Sequence, residues 1–183
     1  MKYVALLRGI NVGGNRKVEM QRLKKSFEKM GYENVSTYIN SGNVIFESNK
    51  KSTKTLASEI EKALKKTFGF PIPTVVRDEK NIQKVAKAIP AKWENDTKQK
   101  TDVLFLWEKF DKKGTIQLIK TTPKVDTLKY IDGAIIWNVD RAKYNKSGMN
   151  DFIGTDVYKH MTARNVNTVR KLALLIKVSR SKL

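Results

Sequence analysis

VSTYINSGNVIFE, residues 35–47, decides how the first half of this chain folds. Two short runs of strand-forming residues, 35–39 and 43–47, flank Asn40-Ser41-Gly42. Asn and Gly supply the positive φ that a tight hairpin turn requires. Working outward, YVALL at 3–7 is bounded by Arg8-Gly9 and is too short for a helix, so it reads as a buried strand. Between it and the hairpin, Met20, Leu23, Phe27 and Met30 recur at helical spacing, with Lys24, Lys25, Glu28 and Lys29 mostly opposite. Gly31 ends that helix. Beyond the hairpin, Leu56, Ile60, Ala63 and Leu64 mark a second helix that stops at Gly69. PIPTVVR, 71–77, is a fourth strand, and Asp78 caps a third helix carrying Ile82, Val85, Ala86 and Ile89 before Pro90.

The order over residues 1–77 is therefore β-α-β-β-α-β, the pattern of ferredoxin-like domains. In the usual strand order 4-1-3-2, the exit of the first strand lies beside the start of the third. That arrangement places the loop RGINVGG and the hairpin NSGN on one rim of the sheet. The predicted fold class is α+β: a ferredoxin-like part over 1–90, a polar linker AKWENDTKQK over 91–100, and a smaller α+β part over 101–183 ending in a helix.

The smaller part opens with the strand TDVLFLW, followed by a helix or looser segment around Ile116–Ile119. LKYIDGAIIWNV is a hairpin, since Asp132-Gly133 is a preferred two-residue turn. At least one helical turn is expected around Phe152–Tyr158. RNVNTVRKLALLIK closes the chain as a helix with Val166, Val169, Leu172, Ala173 and Ile176 on its apolar face. The two halves share a strand–connector–hairpin order without a residue-level repeat.

The net charge is +19, and Lys outnumbers Arg by 29 to 8. The excess is spread along the chain, at +11 over 1–100 and +8 over 101–183. Such a field attracts anionic partners. A lysine-dominated surface lacks the bidentate geometry with which Arg reads phosphate and base edges. The same charge also fits a solvated, compositionally biased surface. With no cysteine, disulfides and thiolate chemistry are excluded, and a cytoplasmic protein is expected. The chain enters its first strand with no signal-peptide pattern, and no apolar run reaches membrane-spanning length, so no membrane partner is expected.

Three stretches could carry chemistry. The first is RGINVGGNRK, where Arg8, Asn11, Gly13, Gly14 and Arg16 crowd one turn before a helix. Backbone amides, a positive dipole end and basic side chains make a workable anion site there. It is neither a P-loop nor a dinucleotide fingerprint, because no GK[ST] closes it and the glycine spacing is wrong. A tight connection that needs positive φ explains the glycines equally well. The second is Asn40, Ser41 and Asn43 of the hairpin, which ordinary turn chemistry also explains. The third is TARNVNT. There Asn165 caps a helix with Thr168 three residues on, and Arg164 and Asn167 are left for a ligand. No catalytic constellation is present. His160 is the lone histidine, no metal-ligand spacing occurs, and no cofactor is implied. Asp140, Asp151 and Asp156 are metal ligands only in principle. The sheet scaffold is that of the RRM, but NVIFES lacks its RNP1 pattern, and Tyr3 and Phe46 read as core.

LLRGINVGG at 6–14, YINSGNVIF at 38–46 and TARNVNTVRKL at 162–172 together resemble a bacterial family known as domain of unknown function 1697. The resemblance runs over most of the chain. It implies a two-part α+β fold with a ferredoxin-like first part, and no activity. Val166 stands where an aromatic is expected in many relatives, which weighs against ligand stacking at that position. The terminal Ser181-Lys182-Leu183 matches a peroxisomal address only by chance if the chain is bacterial. The expectation is binding of a phosphate-bearing anion in a cleft between the two parts, with Arg8 at a strand end and Arg164 at a helix start. The alternatives are an enzyme acting on a phosphorylated or carboxylated small molecule, and a low-specificity nucleic-acid-binding protein.

Overall fold

A computed structural model describes residues 1–14, 16–50 and 52–178. Asn15 of the first motif and the terminal Ser181-Lys182-Leu183 lie outside the described residues. The chain divides into two compact units. One comprises Met1–Ile82 with the chain from Leu172 onward, the other Gln83–Lys171.

The first unit contains β1 (Lys2–Leu7), α1 (Met20–Lys29), β2 (Glu33–Tyr38), β3 (Asn43–Glu47), α2 (Thr53–Phe68) and β4 (Thr74–Asp78). Its sheet is antiparallel with the order β2-β3-β1-β4, the arrangement expected from the sequence. Alternation along each strand sends Tyr3, Ala5, Leu7, Val44, Phe46 and Val76 to the helix-covered face. There they meet Leu23 and Phe27 of α1 and Leu56, Ile60 and Leu64 of α2. Phe46 is the centre of an aromatic cluster, stacked on Tyr3 at 5.6 Å and edge-on to Phe27 at 5.4 Å. Tyr3 and Phe46 are fully buried, so neither is a base-stacking platform. The opposite face is apolar too, with Val4, Leu6 and Ile45 buried. Lys2, also buried, donates its Nζ to the Ile176 carbonyl of the C-terminal helix at 3.0 Å, satisfying a backbone group near that helix end.

Strand boundaries shift slightly from the sequence reading. β4 begins at Thr74 instead of residue 71, because Pro71 and Pro73 cannot donate to a ladder. α3 (Glu79–Ala88) is capped by Asp78, whose Oδ1 accepts from the Asn81 amide at 2.7 Å.

The second unit repeats the topology of the first. β5 (Gln99–Leu106), β6 (Asp126–Ile131), β7 (Ala134–Asp140) and β8 (Met161–Asn165) pair in the order β6-β7-β5-β8. Gln99 and Lys100 of the polar stretch 91–100 already belong to β5. Between β5 and β6 the chain makes 3-10 turns at Glu108–Phe110 and Lys113–Leu118. Between β7 and β8 lie a 3-10 segment, Arg141–Lys146, and two single turns, α4 (Met149–Phe152) and α5 (Asp156–Lys159). α6 (Val166–Val178) follows β8. β8 is an addition to the sequence reading, in which this stretch was a helix start: Met161–Asn165 is short, and its pattern alternates poorly.

Superposing the two registers uncovers a repeat that sequence comparison misses. Leu7 donates its amide to Gly42 at 2.8 Å, and Leu106 does the same to Gly133 at 3.0 Å. Arg8 donates to the Pro73 carbonyl at 2.8 Å, and Trp107 to the His160 carbonyl at 2.9 Å. Arg77-Asp78 and Arg164-Asn165 end the fourth strand of each sheet, with Arg77 opposite Val4 and Arg164 opposite Val103.

Candidate functional site

The chain leaves β1 at Arg8 and does not reach α1 until Met20. The intervening loop takes positive φ at Gly9, Asn11, Gly13, Gly14 and Arg16. This corrects one expectation: the glycines do not sit at a helix N-terminus. Buried Val18 and exposed Glu19, the N-cap residue of α1, intervene, so the helix dipole is not aimed through Gly13-Gly14.

Asn11 organises the loop. Its Oδ1 accepts from the Val18 amide at 2.8 Å, and its Nδ2 donates to the Val18 carbonyl at 3.0 Å and the Asn40 carbonyl at 2.9 Å. With the Asn11 amide on the Arg16 carbonyl at 3.2 Å, the loop is closed on itself and tied to the hairpin. The two motifs share one rim, as the strand order requires. Gly42 permits this approach. A Cβ there would stand 2.7 Å from Leu7 Cβ and 2.8 Å from Ile10 Cδ1, at a φ of 76°.

The hairpin residues serve the hairpin. Asn43 is fully buried and gives its Nδ2 to the Tyr38 carbonyl at 3.0 Å and to Ser41 Oγ at 2.9 Å. Asn11 and Asn43, both candidate site residues by sequence, direct these side-chain donors to the Val18, Asn40 and Tyr38 carbonyls and to Ser41 Oγ. The exposed features of the rim are different ones. Gly13 and Gly14 face open space, with nothing within 4 Å of an added Cβ. Arg16 folds its guanidinium back so that Nη1 lies 3.7 Å from where a Gly9 side chain would begin.

The third motif behaves differently in its own unit. Asn165 caps α6 as expected, accepting from the Thr168 amide at 2.9 Å. Arg164 is not at the helix start. It lies in β8, only 7% exposed, and its Nη1 donates to Thr162 Oγ1 at 2.9 Å and the Ala163 carbonyl at 2.7 Å. Burial pulls its pKa down to about 10. Asn167 reaches the Asn95 carbonyl at 3.3 Å, and Thr168 is buried. Arg170, which the sequence reading passed over, clamps residues 90–94 through Glu94 Oε2 at 2.7 Å and the Trp93 carbonyl at 2.9 Å.

Another residue absent from that reading is Asp126. Its carboxylate accepts from Ser147 Oγ, Trp137 Nε1 and the amides of Thr122 and Gly148 at 2.5–2.9 Å. Burial opposes its ionisation, yet these four donors hold its pKa below the usual carboxylate value. Only a folded chain brings residues 122, 137, 147 and 148 to one oxygen pair. Among the described residues, no cluster of three or more His, Asp or Glu has the makings of a metal site, and no helix is long and apolar enough to cross a membrane.

The fold is shared with a solved structure, described as conserved bacterial protein SP0830 from Streptococcus pneumoniae. The TM-score is 0.81 at 28% identity, over 96% of this chain and 98% of that one. No protein with a curated description matches. The family model described as Protein of unknown function (DUF1697) matches residues 1–137, a span that holds two of the three motifs, and the chain belongs to that family.

Proposed function

We propose that the loop 8–17 of the first unit binds a phosphate-bearing anion. The observation that supports this is the comparison of the two units. Both leave their central strand by the same pair of hydrogen bonds, at Leu7-Arg8 and Leu106-Trp107. The second unit then passes straight into a 3-10 turn, Glu108–Phe110, without a glycine-rich loop. The topology therefore does not require Gly13, Gly14 or the left-handed residues around them. Left-handed residues at Gly9, Asn11, Gly13, Gly14 and Arg16 give the kind of backbone from which anion-binding nests are made. Arg8, Arg16 and Lys17 add positive charge beside them. Arg164 is engaged with Thr162 and Ala163, so the proposal rests on the first unit's loop.

Titration with inorganic phosphate, followed by amide chemical shifts, tests this. Shifts confined to residues 8–17, weakened by Arg8→Ala and by Arg16→Ala, are expected. Shifts elsewhere, or none at millimolar phosphate, would refute it.

A further inference from the structure

Hydrogen-bond acceptors on this rim are spent on closing the two loops. Asn11 donates its amide to the Arg16 carbonyl and its Nδ2 to the Val18 and Asn40 carbonyls, and its own Oδ1 accepts the Val18 amide. The Gly42 carbonyl accepts the Leu7 amide at 2.8 Å, and Ser41 Oγ accepts from Asn43 Nδ2 at 2.9 Å. Neither RGINVGGNRK, 8–17, nor NSGN, 40–43, contains an Asp or Glu. Glu19, the next carboxylate along the chain, comes after the buried Val18. Glu61 accepts the Thr74 amide through Oε1 at 2.7 Å. The cations are not spent in the same way. Arg16 and Lys17 are exposed and, among the described residues, form no ion pair.

We infer that this loop selects a doubly charged terminal phosphate, a phosphomonoester dianion, over a singly charged or diesterified one. The inference rests on the phosphate reading of the loop and names its ligand class. Three terminal oxygens of a dianion only accept, which suits a site whose free groups are donors and cations. A protonated phosphate brings an O–H that needs an acceptor. Without a carboxylate in either loop, that O–H faces donors and goes unsatisfied. A diester, such as a nucleic-acid backbone phosphate, carries one charge in place of two and commits two oxygens to ester links. The second charge matters here, because hydrogen bonds between ionised partners are roughly twice as strong as neutral ones. Gly13 and Gly14 leave open space where a side chain would stand, so a terminal group can come close to the backbone. The loop is exposed and encloses nothing, so the alcohol that carries the phosphate is not read.

Amide-shift titrations of the whole chain with methyl phosphate, dimethyl phosphate and sulfate, at about pH 5 and about pH 7.5, test this. A phosphomonoester takes its second ionisation near pH 6, so about a tenth of methyl phosphate is dianionic at the lower pH and nearly all at the higher. Its affinity for residues 8–17 should fall about tenfold on acidification. Sulfate is doubly charged at both, should change by less than about twofold, and so controls for titration of the protein itself. Dimethyl phosphate should bind at least about tenfold more weakly than methyl phosphate at the higher pH. Arg16→Ala should weaken methyl phosphate and sulfate by the same factor and leave the pH ratio unchanged. Glycerol phosphate and a phosphoserine peptide should bind within about threefold of each other, since only the phosphate is held. A tenfold preference for one would assign the monoester to that carrier and keep the selection for a dianion. Equal affinity for methyl phosphate at the two pH values overturns the inference. So does dimethyl phosphate binding as tightly as methyl phosphate, or sulfate failing where methyl phosphate binds. In each of those cases the loop shifts themselves leave the phosphate reading standing. No shift in residues 8–17 with any of these anions removes that reading and the inference with it.

Discussion

Asn11 Nδ2 lies 2.9 Å from the Asn40 carbonyl oxygen, and this contact joins the glycine-rich loop to the hairpin. The same side chain closes the loop through both backbone groups of Val18. Asn11 also occupies a left-handed conformation, φ 54°, that Asn tolerates better than most residues. Two substitutions separate these roles. Asn11→Gly keeps the conformation and loses three side-chain hydrogen bonds. Asn11→Ala loses both. Each should increase hydrogen exchange across residues 9–18. Asn11→Ala should be the less stable by about 1 kcal/mol.

Gly42 and Gly13 make a matched pair for a stability test. Both have positive φ, but an added Cβ clashes with Leu7 and Ile10 only at Gly42. Gly13→Ala should lose about 1 kcal/mol, from conformation alone. Gly42→Ala should lose roughly 3 kcal/mol, because conformational and packing penalties add. Urea denaturation of the two variants reads the difference. Equal losses would mean that the loop and hairpin do not pack as described.

Much of this architecture could be read in the sequence, because it was written locally. The hairpin turn at Asn40-Ser41-Gly42, the caps Asp78 and Asn165, and the apolar stripe of α1 each depend on residues a few positions apart. The ferredoxin-like strand order then followed from connection rules, and with it the shared rim of the two loops. What was not legible depends on distant contacts. β8 is recognised by its pairing with β5, since Met161–Asn165 carries little strand signal of its own. Asp126 draws two of its four donors, Ser147 and Gly148, from 21 and 22 residues away, and a third, Trp137, from 11 residues away. The donors of Asn11 and Asn43 looked available in the sequence. Folding directs them to backbone carbonyls, because a buried or loop-closing carbonyl left unpaired is costly.

Asp126 sets an acid sensitivity in the second unit. A carboxyl whose folded pKa lies below its unfolded value of 3.8 contributes stability fully above that value. The contribution is lost as pH falls from 3.8 through the folded pKa. Asp126→Asn should remove this part of the acid dependence and destabilise the protein near neutrality. An amide NH₂ would face donors where an acceptor is needed, a penalty of about 1–3 kcal/mol. Thermal melts of both proteins between pH 2.5 and 7 should converge towards the acid end. Parallel curves would show that Asp126 is not the titrating group.

Intact duplexes provide a check on the charge itself. Spread lysines neutralise phosphates without reading bases. Binding to intact DNA should be weak, indifferent to sequence and steeply salt-dependent, and it should be largely lost near physiological ionic strength. Tight, sequence-selective binding at that ionic strength would contradict this and would demand base contacts from Arg side chains.

Arg16 and Arg164 should respond oppositely to substitution. Arg164 is buried in β8, and its guanidinium is hydrogen-bonded to Thr162 and Ala163. Removing it leaves a cavity and strips those groups of their donor, so Arg164→Ala should destabilise the protein by roughly 2–3 kcal/mol. Arg16 is exposed on a loop, and Arg16→Ala should alter stability by no more than about 0.5 kcal/mol. For phosphate the order reverses. Arg16→Ala should weaken binding several-fold, whereas Arg164→Lys, which keeps the charge and most of the packing, should leave it unchanged. Paired urea denaturation and phosphate titration of the three variants read both effects. A folded Arg164→Lys with phosphate affinity reduced as far as in Arg16→Ala would restore Arg164 as a ligand-binding residue and overturn the assignment to the first loop alone.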